Sequence, residues 1–221
     1  MNMNRHCGII KFILLGVVCI SLLPVSVHAQ KYTEFIPGEV WKDTDGNPIN
    51  ALGGGLLYHD GTYYWYDFLI WKFECIVLPA VKDDPNHDLH PSKVLERPKV
   101  VYNKKTGKFV MWAHVESADY SKACAGVAVS DSPVGPFVYQ GSFRPNNAMS
   151  RDQTVFVDDD GRAYQFYSSE NNETMYISLL TDEYLKPSCS FSSNFVKESR
   201  DAPSVFKYNG KYYMLSSGCT G

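Results

Sequence analysis

The sequence predicts an all-β fold of the β-propeller class, and three observations carry that prediction. One hairpin recurs four times, as YHDGTYYWYDF from Tyr58, VYNKKTGKFVMWAH from Val101, FVDDDGRAYQFYSS from Phe156 and FKYNGKYYMLSSG from Phe206. The turn glycines Gly61, Gly107, Gly161 and Gly210 lie 46, 54 and 49 residues apart, close to the length of one four-stranded blade. No interval carries a helical period. Each is filled by short apolar runs and turns, such as AGVAVSDSPVGPFVYQGSF from Ala125 to Phe143. A β-sandwich would also supply strands, but not the regular return of one hairpin.

Along the chain, the first element is not part of that fold. Arg5 and Lys11 precede an apolar run from Phe12 to Leu23, and Val27-His28-Ala29 supplies small residues for cleavage. Residues 1–29 read as a secretory signal, which leaves a mature chain from Gln30 that is secreted or periplasmic. An uncleaved anchor is the alternative, but the run is short for a membrane span. Cys19 as a lipid-attachment site is weaker still, because Val18 before it is not small. Four cysteines remain, Cys75, Cys124, Cys189 and Cys219. Their spacing fits no zinc or redox pattern, so they read as free thiols.

The formal net charge of −3 gives no electrostatic footprint for nucleic acid. Aromatic residues make up 14 % of the chain. Strand packing accounts for most of them, and a carbohydrate cleft would draw on the same composition. The acidic runs Asp43-Thr44-Asp45-Gly46-Asn47 and Asp158-Asp159-Asp160-Gly161 resemble part of a calcium loop. The first lacks the distal Glu of such a loop and the second is a hairpin turn, so neither implies a metal. His59, His87, His90 and His114 show no ligand spacing and read as surface or packing residues. No cofactor is implied.

The repeats also align charges. Nine residues before Gly210 stands Asp201, after Arg200; nine before Gly161 stands Asp152, after Arg151. The second turn is longer by two residues, and eleven before Gly107 stands Glu96, followed by Arg97. In the first repeat the position is Leu52. A propeller would put these positions at the start of each innermost strand, so three carboxylates would converge on one axis. The plainer alternative is that each acid pairs with its neighbouring arginine. Clustered carboxylates are costly unless paired or used, which favours a site. Two carboxyl groups across a sugar ring are the equipment of glycoside hydrolysis, one donating a proton to the leaving oxygen.

The segments FIPGEVWKDTDGNPINALGGGLLYHDGTYYWY, VLERPKVVYNKKTGKFVMWAHVESADYSKACAGVAVSDSPVGPF, SRDQTVFVDDDGRAYQFYSSE and SRDAPSVFKYNGKYYMLSSGCTG resemble glycoside hydrolase family 43. They are most similar to its exo-β-1,3-galactanase branch. The resemblance implies a five-bladed β-propeller over residues 30–221. It implies Asp201 as general acid, Asp152 as the residue that tunes it, and Glu96, Arg97, Tyr120 and Thr220 as sugar contacts. The function so implied is a secreted inverting glycosidase that removes terminal galactose from β-1,3-galactan, with a poly- or oligosaccharide as the only partner and no membrane association after signal cleavage. An arabinofuranosidase, a xylosidase, or a catalytically impaired glycan-binding propeller are the alternatives.

The chain departs from that branch in several places. Leu52 stands where a histidine is common, Asp67-Phe68 where Gly-Glu is, Cys124 where arginine is, and Asp201 where the acid is usually Glu. Phe73 follows Gly61 by only 12 residues, whereas the matching Phe137 follows Gly107 by 30. About 18 residues are therefore expected to be missing near Asp67–Ile70. The 192 residues from Gln30 hold four blade starts, against roughly 250 for five blades, so an incomplete ring is expected.

Overall fold

The computed structural model describes residue 48 and residues 54–66 and 76–218. The chain divides into two compact units after Ile49, and the second holds all the described strands. Twelve are present among the described residues: β1 (Gly55–His59), β2 (Thr62–Tyr66), β3 (Val94–Asn103), β4 (Lys108–Glu116), β5 (Cys124–Ser130), β6 (Val138–Phe143), β7 (Gln153–Val157), β8 (Ala163–Ser169), β9 (Thr174–Leu180), β10 (Pro187–Asn194), β11 (Arg200–Tyr208) and β12 (Lys211–Gly218). A single 3₁₀ turn, Pro145–Asn147, is the only helical element among them. The all-β expectation holds.

The strands form four antiparallel sheets in simple chain order: β1-β2, β3-β4-β5-β6, β7-β8-β9-β10 and β11-β12. Each repeated hairpin joins the first two strands of one sheet. Asp60-Gly61 and Asn209-Gly210 are two-residue turns with positive φ at both positions, 46° and 78° in one, 49° and 72° in the other. That is the turn whose twist matches the flanking strands, and it explains the Asp-Gly and Asn-Gly pairs. The first strands of successive sheets touch: β1 meets β3, β3 meets β7, and β7 meets β11.

Strand β4 is buried along nearly its whole length, because its sheet is covered on both faces. On one face Val101, Val110 and Trp112 pack with Val155, Ala163, Leu180 and Tyr184 of the next sheet and its loops. On the other, Val100, Phe109 and Met111 pack with Leu57 and Tyr66 of β1-β2 and with Phe137. The near-continuous apolar run FVMWA is what such a doubly covered strand requires. Phe137 sits just before β6 rather than within it, with its N–H donated to Val77 O at 2.7 Å.

No strand lies among the described residues between β2 and β3, and the expected deletion near Asp67–Ile70 falls outside the described residues. The loop from 76 to 93 is pinned by Asp88, which accepts from Lys122, from Tyr139 Oη at 2.7 Å and from Ser142 Oγ at 2.6 Å. Burial alone would raise this carboxyl, but those donors hold it below its ordinary value. Cys124 and Cys189 are free thiols, as expected; Cys75 and Cys219 lie outside the described residues.

The acidic turn of the third repeat ties two sheets together. Asp158 accepts from Lys207 Nζ at 2.9 Å and Tyr212 Oη at 2.6 Å. The Tyr212 and Lys207 donors hold its carboxyl at about 2, against an ordinary 3.8. A depressed folded value means stabilisation that is present above pH 3.8 and lost as pH falls through 2. Thermal melts between pH 5 and 2 are therefore expected to fall less steeply for Asp158→Asn than for the parent. Parallel curves would show that the contact contributes nothing.

Candidate active site

Two of the three aligned acids sit on backbone irregularities that repeat. In β3, Glu96 is followed by Arg97 at φ 52° and then Pro98, and the register with β4 shifts between Glu96 and Lys99. In β11, Asp201 is followed by Ala202 at φ 52° and then Pro203, and the register with β12 shifts between Asp201 and Ser204. A proline cannot donate to the ladder, so the strand bulges there and re-aims the acid before it. Gly55 accommodates the first bulge. A Cβ on it would lie 2.0 Å from Pro98 O, which explains the last glycine of the GGG run.

Glu96 and Asp152 come together around a residue whose spacing in the sequence suggested only packing. His114 pairs across the strands with Glu96, and its side chain is 3 % exposed. Its Nδ1 lies 3.5 Å from Glu96 Oε2 and 3.8 Å from Asp152 Oδ1. Its Nε2 lies 3.2 Å from Glu116 Oε1. Glu116 is fully buried, and Arg151 Nη1 stands 3.5 Å from the same oxygen. The other three histidines do behave as packing or loop residues: His59 lies against Tyr102 and Phe109, His87 against Tyr139, and His90 bonds Ser92.

Each acid of the pair has a fixed donor on its remaining oxygen. Tyr120 donates its hydroxyl to Glu96 Oε1 at 2.8 Å. Burial, then the Glu96 contact, pushes the Tyr120 hydroxyl up to about 12, so it stays a donor at any working pH. Its turn is held by Ser117 and Ser121 on Asp119 and by Arg151 Nη2 on Tyr120 O at 3.1 Å. Arg97 Nε meets Asp152 Oδ2 at 3.2 Å. The pairing of acid with arginine is thus real for Asp152, but Arg97 comes from the neighbouring sheet, not from the adjacent Arg151.

Asp201 is not in the His114 group. It is joined to it through Ser168 of β8, whose N–H donates to Asp152 O at 2.9 Å and whose Oγ donates to Asp201 Oδ1 at 3.0 Å. The Ala202 N–H adds a second donor at 2.8 Å, and Asn172 Nδ2 approaches the other oxygen at 3.4 Å. Thr220 and Leu52 lie outside the described residues. His114, Glu116 and Ser168 were missed by sequence reasoning, yet a signal existed. His114, Ser168 and Ser217 each stand seven residues after their turn glycine, so they are the cross-strand partners of the aligned acids.

Carboxylates delivered from successive antiparallel sheets, each with its own oriented donor, are the equipment that a glycosidase of all-β build uses. The comparisons with known proteins agree. The model of glycosyl hydrolases family 43 matches residues 98–221, more than half of the chain. A family 43 β-1,3-galactosidase solved with galactodeoxynojirimycin is 39 % identical, with a TM-score of 0.76 over 83 % of this chain and 73 % of its own. The exo-β-1,3-galactanase of Phanerochaete chrysosporium, solved with β-1,3-galactotriose, is 34 % identical, with a TM-score of 0.73 over 83 % of this chain and 47 % of its own. That of Clostridium thermocellum is 36 % identical, with a TM-score of 0.69 over 85 % and 46 %. No curated protein sequence matches. The chain belongs to glycosyl hydrolases family 43, and it spans under half the length of the two galactanases.

Proposed function

We propose that this chain is the propeller portion of a secreted inverting exo-glycosidase that releases galactose from the end of β-1,3-galactan. The observation that carries the reading is the Glu96–Asp152 pair with Asp201 held beside it through Ser168. The similarity to proteins solved with galactose-like ligands supports the sugar. In this reading Asp201 protonates the glycosidic oxygen, Asp152 orients and tunes it, and Glu96, Arg97, Tyr120 and Thr220 hold the terminal sugar. Glu96 suits that task, since it is 41 % exposed and anchored on one oxygen by Tyr120. The first 29 residues direct export. The four sheets are blades of a five-bladed ring that this sequence only partly fills.

The test is galactose release from β-1,3-galactan, with arabinan and aryl β-xylosides in parallel. Release of galactose alone, as the α-anomer in the first-formed product by NMR, is the expected result. A β-anomer would overturn inversion, and arabinose or xylose instead would overturn the substrate. A second reading, glycan binding without turnover, is favoured by one observation: Asp201 is a methylene shorter than the Glu usual in the branch. Galactotriose that binds by calorimetry but is never cleaved would establish it.

A further inference from the structure

We propose that His114 Nδ1, Glu96 Oε2 and Asp152 Oδ1 form a seat for a divalent transition-metal ion, and that occupancy blocks the sugar site. The three donor atoms lie within 4.8 Å of one another, and the two carboxylate oxygens stand 3.5 and 3.8 Å from Nδ1. A tetrahedral zinc with bonds of about 2.05 Å places its ligand atoms about 3.3 Å apart, so the two pairs with Nδ1 need to close by about half an ångström or less and the two carboxylate oxygens by up to about 1.5 Å, a side-chain rotation of Glu96.

The independent observation is the ring nitrogen itself. His114 Nδ1 is buried and makes no hydrogen bond, although it aims at two carboxylate oxygens. With Glu116 ionised, the ring proton of a neutral His114 lies on Nε2, 3.2 Å away. Nδ1 of that tautomer turns its lone pair to two carboxylate oxygens, an arrangement that a cation would bridge. The surroundings are those of a metal histidine. A buried carboxylate backs the ring, Arg151 backs that carboxylate, and Tyr120 and Arg97 hold the other oxygen of each acid. Formally, Glu96, Asp152 and Glu116 against Arg97 and Arg151 leave one negative charge. One imidazole and two carboxylates suit zinc better than calcium, which wants six to eight oxygens.

Zinc chloride is titrated into the chelator-stripped full chain by calorimetry. One zinc per chain is expected, with calcium unable to displace it. Glu96→Gln, at a half-exposed position, should weaken binding by more than about tenfold. His114→Ala should abolish it, and His59→Ala, which removes a histidine packed against Tyr102 and Phe109 and outside this group, should leave it unchanged. Absence of a saturable site, or a site indifferent to Glu96→Gln, overturns the proposal; that variant decides alone if His114→Ala fails to fold. Only the inhibitory half rests on the glycosidase reading. Zinc should suppress galactose release, with relief by EDTA or by excess β-1,3-galactan. Zinc binding to a chain that cleaves nothing removes the hydrolase reading and leaves the metal seat. Hydrolysis unaffected by saturating zinc removes the inhibition.

Discussion

Asp201→Asn is expected to lower galactose release from β-1,3-galactan by about 10² to 10⁴-fold while leaving the affinity for galactose within a few-fold. General acid catalysis contributes about that factor. The substitution is close to isosteric. The asparagine carbonyl still accepts from Ser168 Oγ and the Ala202 N–H, which now hold Asp201 Oδ1 at 3.0 and 2.8 Å, so the β11 bulge survives. What disappears is the transferable proton. The loss should therefore depend on the leaving group. A 2,4-dinitrophenyl galactoside, whose phenolate departs without protonation, should be cleaved by the variant within about tenfold of the parent, because general acid help is worth little there. A variant that cleaves galactan at the parent rate would show that another group donates the proton. A variant equally poor on both substrates would point to lost positioning instead. Asp201→Glu is the complementary case. Its longer side chain must reach past the same Ser168 donor, and a gain in release would identify reach as the limit on the parent.

The hairpins and the aligned acids were legible because both are local. Asp-Gly and Asn-Gly turns declare themselves in two residues, and an acid nine or eleven residues before three of the four turn glycines needs only counting. The acid-x-Pro pattern at Glu96 and Asp201 was also visible, and it corresponds to the bulges that aim those side chains. What stayed hidden lies across the strands. His114 was judged by its spacing from other histidines, whereas its partners are Glu96 on the paired strand and Asp152 on the next sheet. Glu116 reads in sequence as the polar end of a strand, yet the Arg151 side chain from the following sheet lets it be fully buried. Arg151 and Arg97 illustrate the same limit. Each stands beside an acid in sequence but serves an acid contributed from a neighbouring sheet.

Trp112→Ala is expected to destabilise the fold by about 3–5 kcal/mol, the range for removing a large buried aromatic, and to lower Tm by about 10 °C or more. Trp112 is fully buried in the face of β4 that meets the next sheet, with Val155, Ala163 and Leu180 around it. The Phe143 ring meets it edge-on at 5.9 Å. Truncation opens a cavity between two sheets whose strands are fixed by their own ladders, so neither can collapse to fill it. A second effect separates from the first. Trp112 Nε1 donates to Tyr184 O at 2.8 Å, and Tyr184 Oη in turn donates to Gly161 O at 2.5 Å. Trp112 thus ties the second sheet to the turn that opens the third. Trp112→Phe keeps most of the apolar volume but strands the Tyr184 carbonyl, which should cost about 1–3 kcal/mol. Denaturant melts of the two variants would then fall in order, Phe between parent and Ala. The site should feel it as well, since Trp112 lies two residues before His114 on the same face of β4. A Trp112→Ala chain as stable as the parent would mean that the two sheets do not share this core.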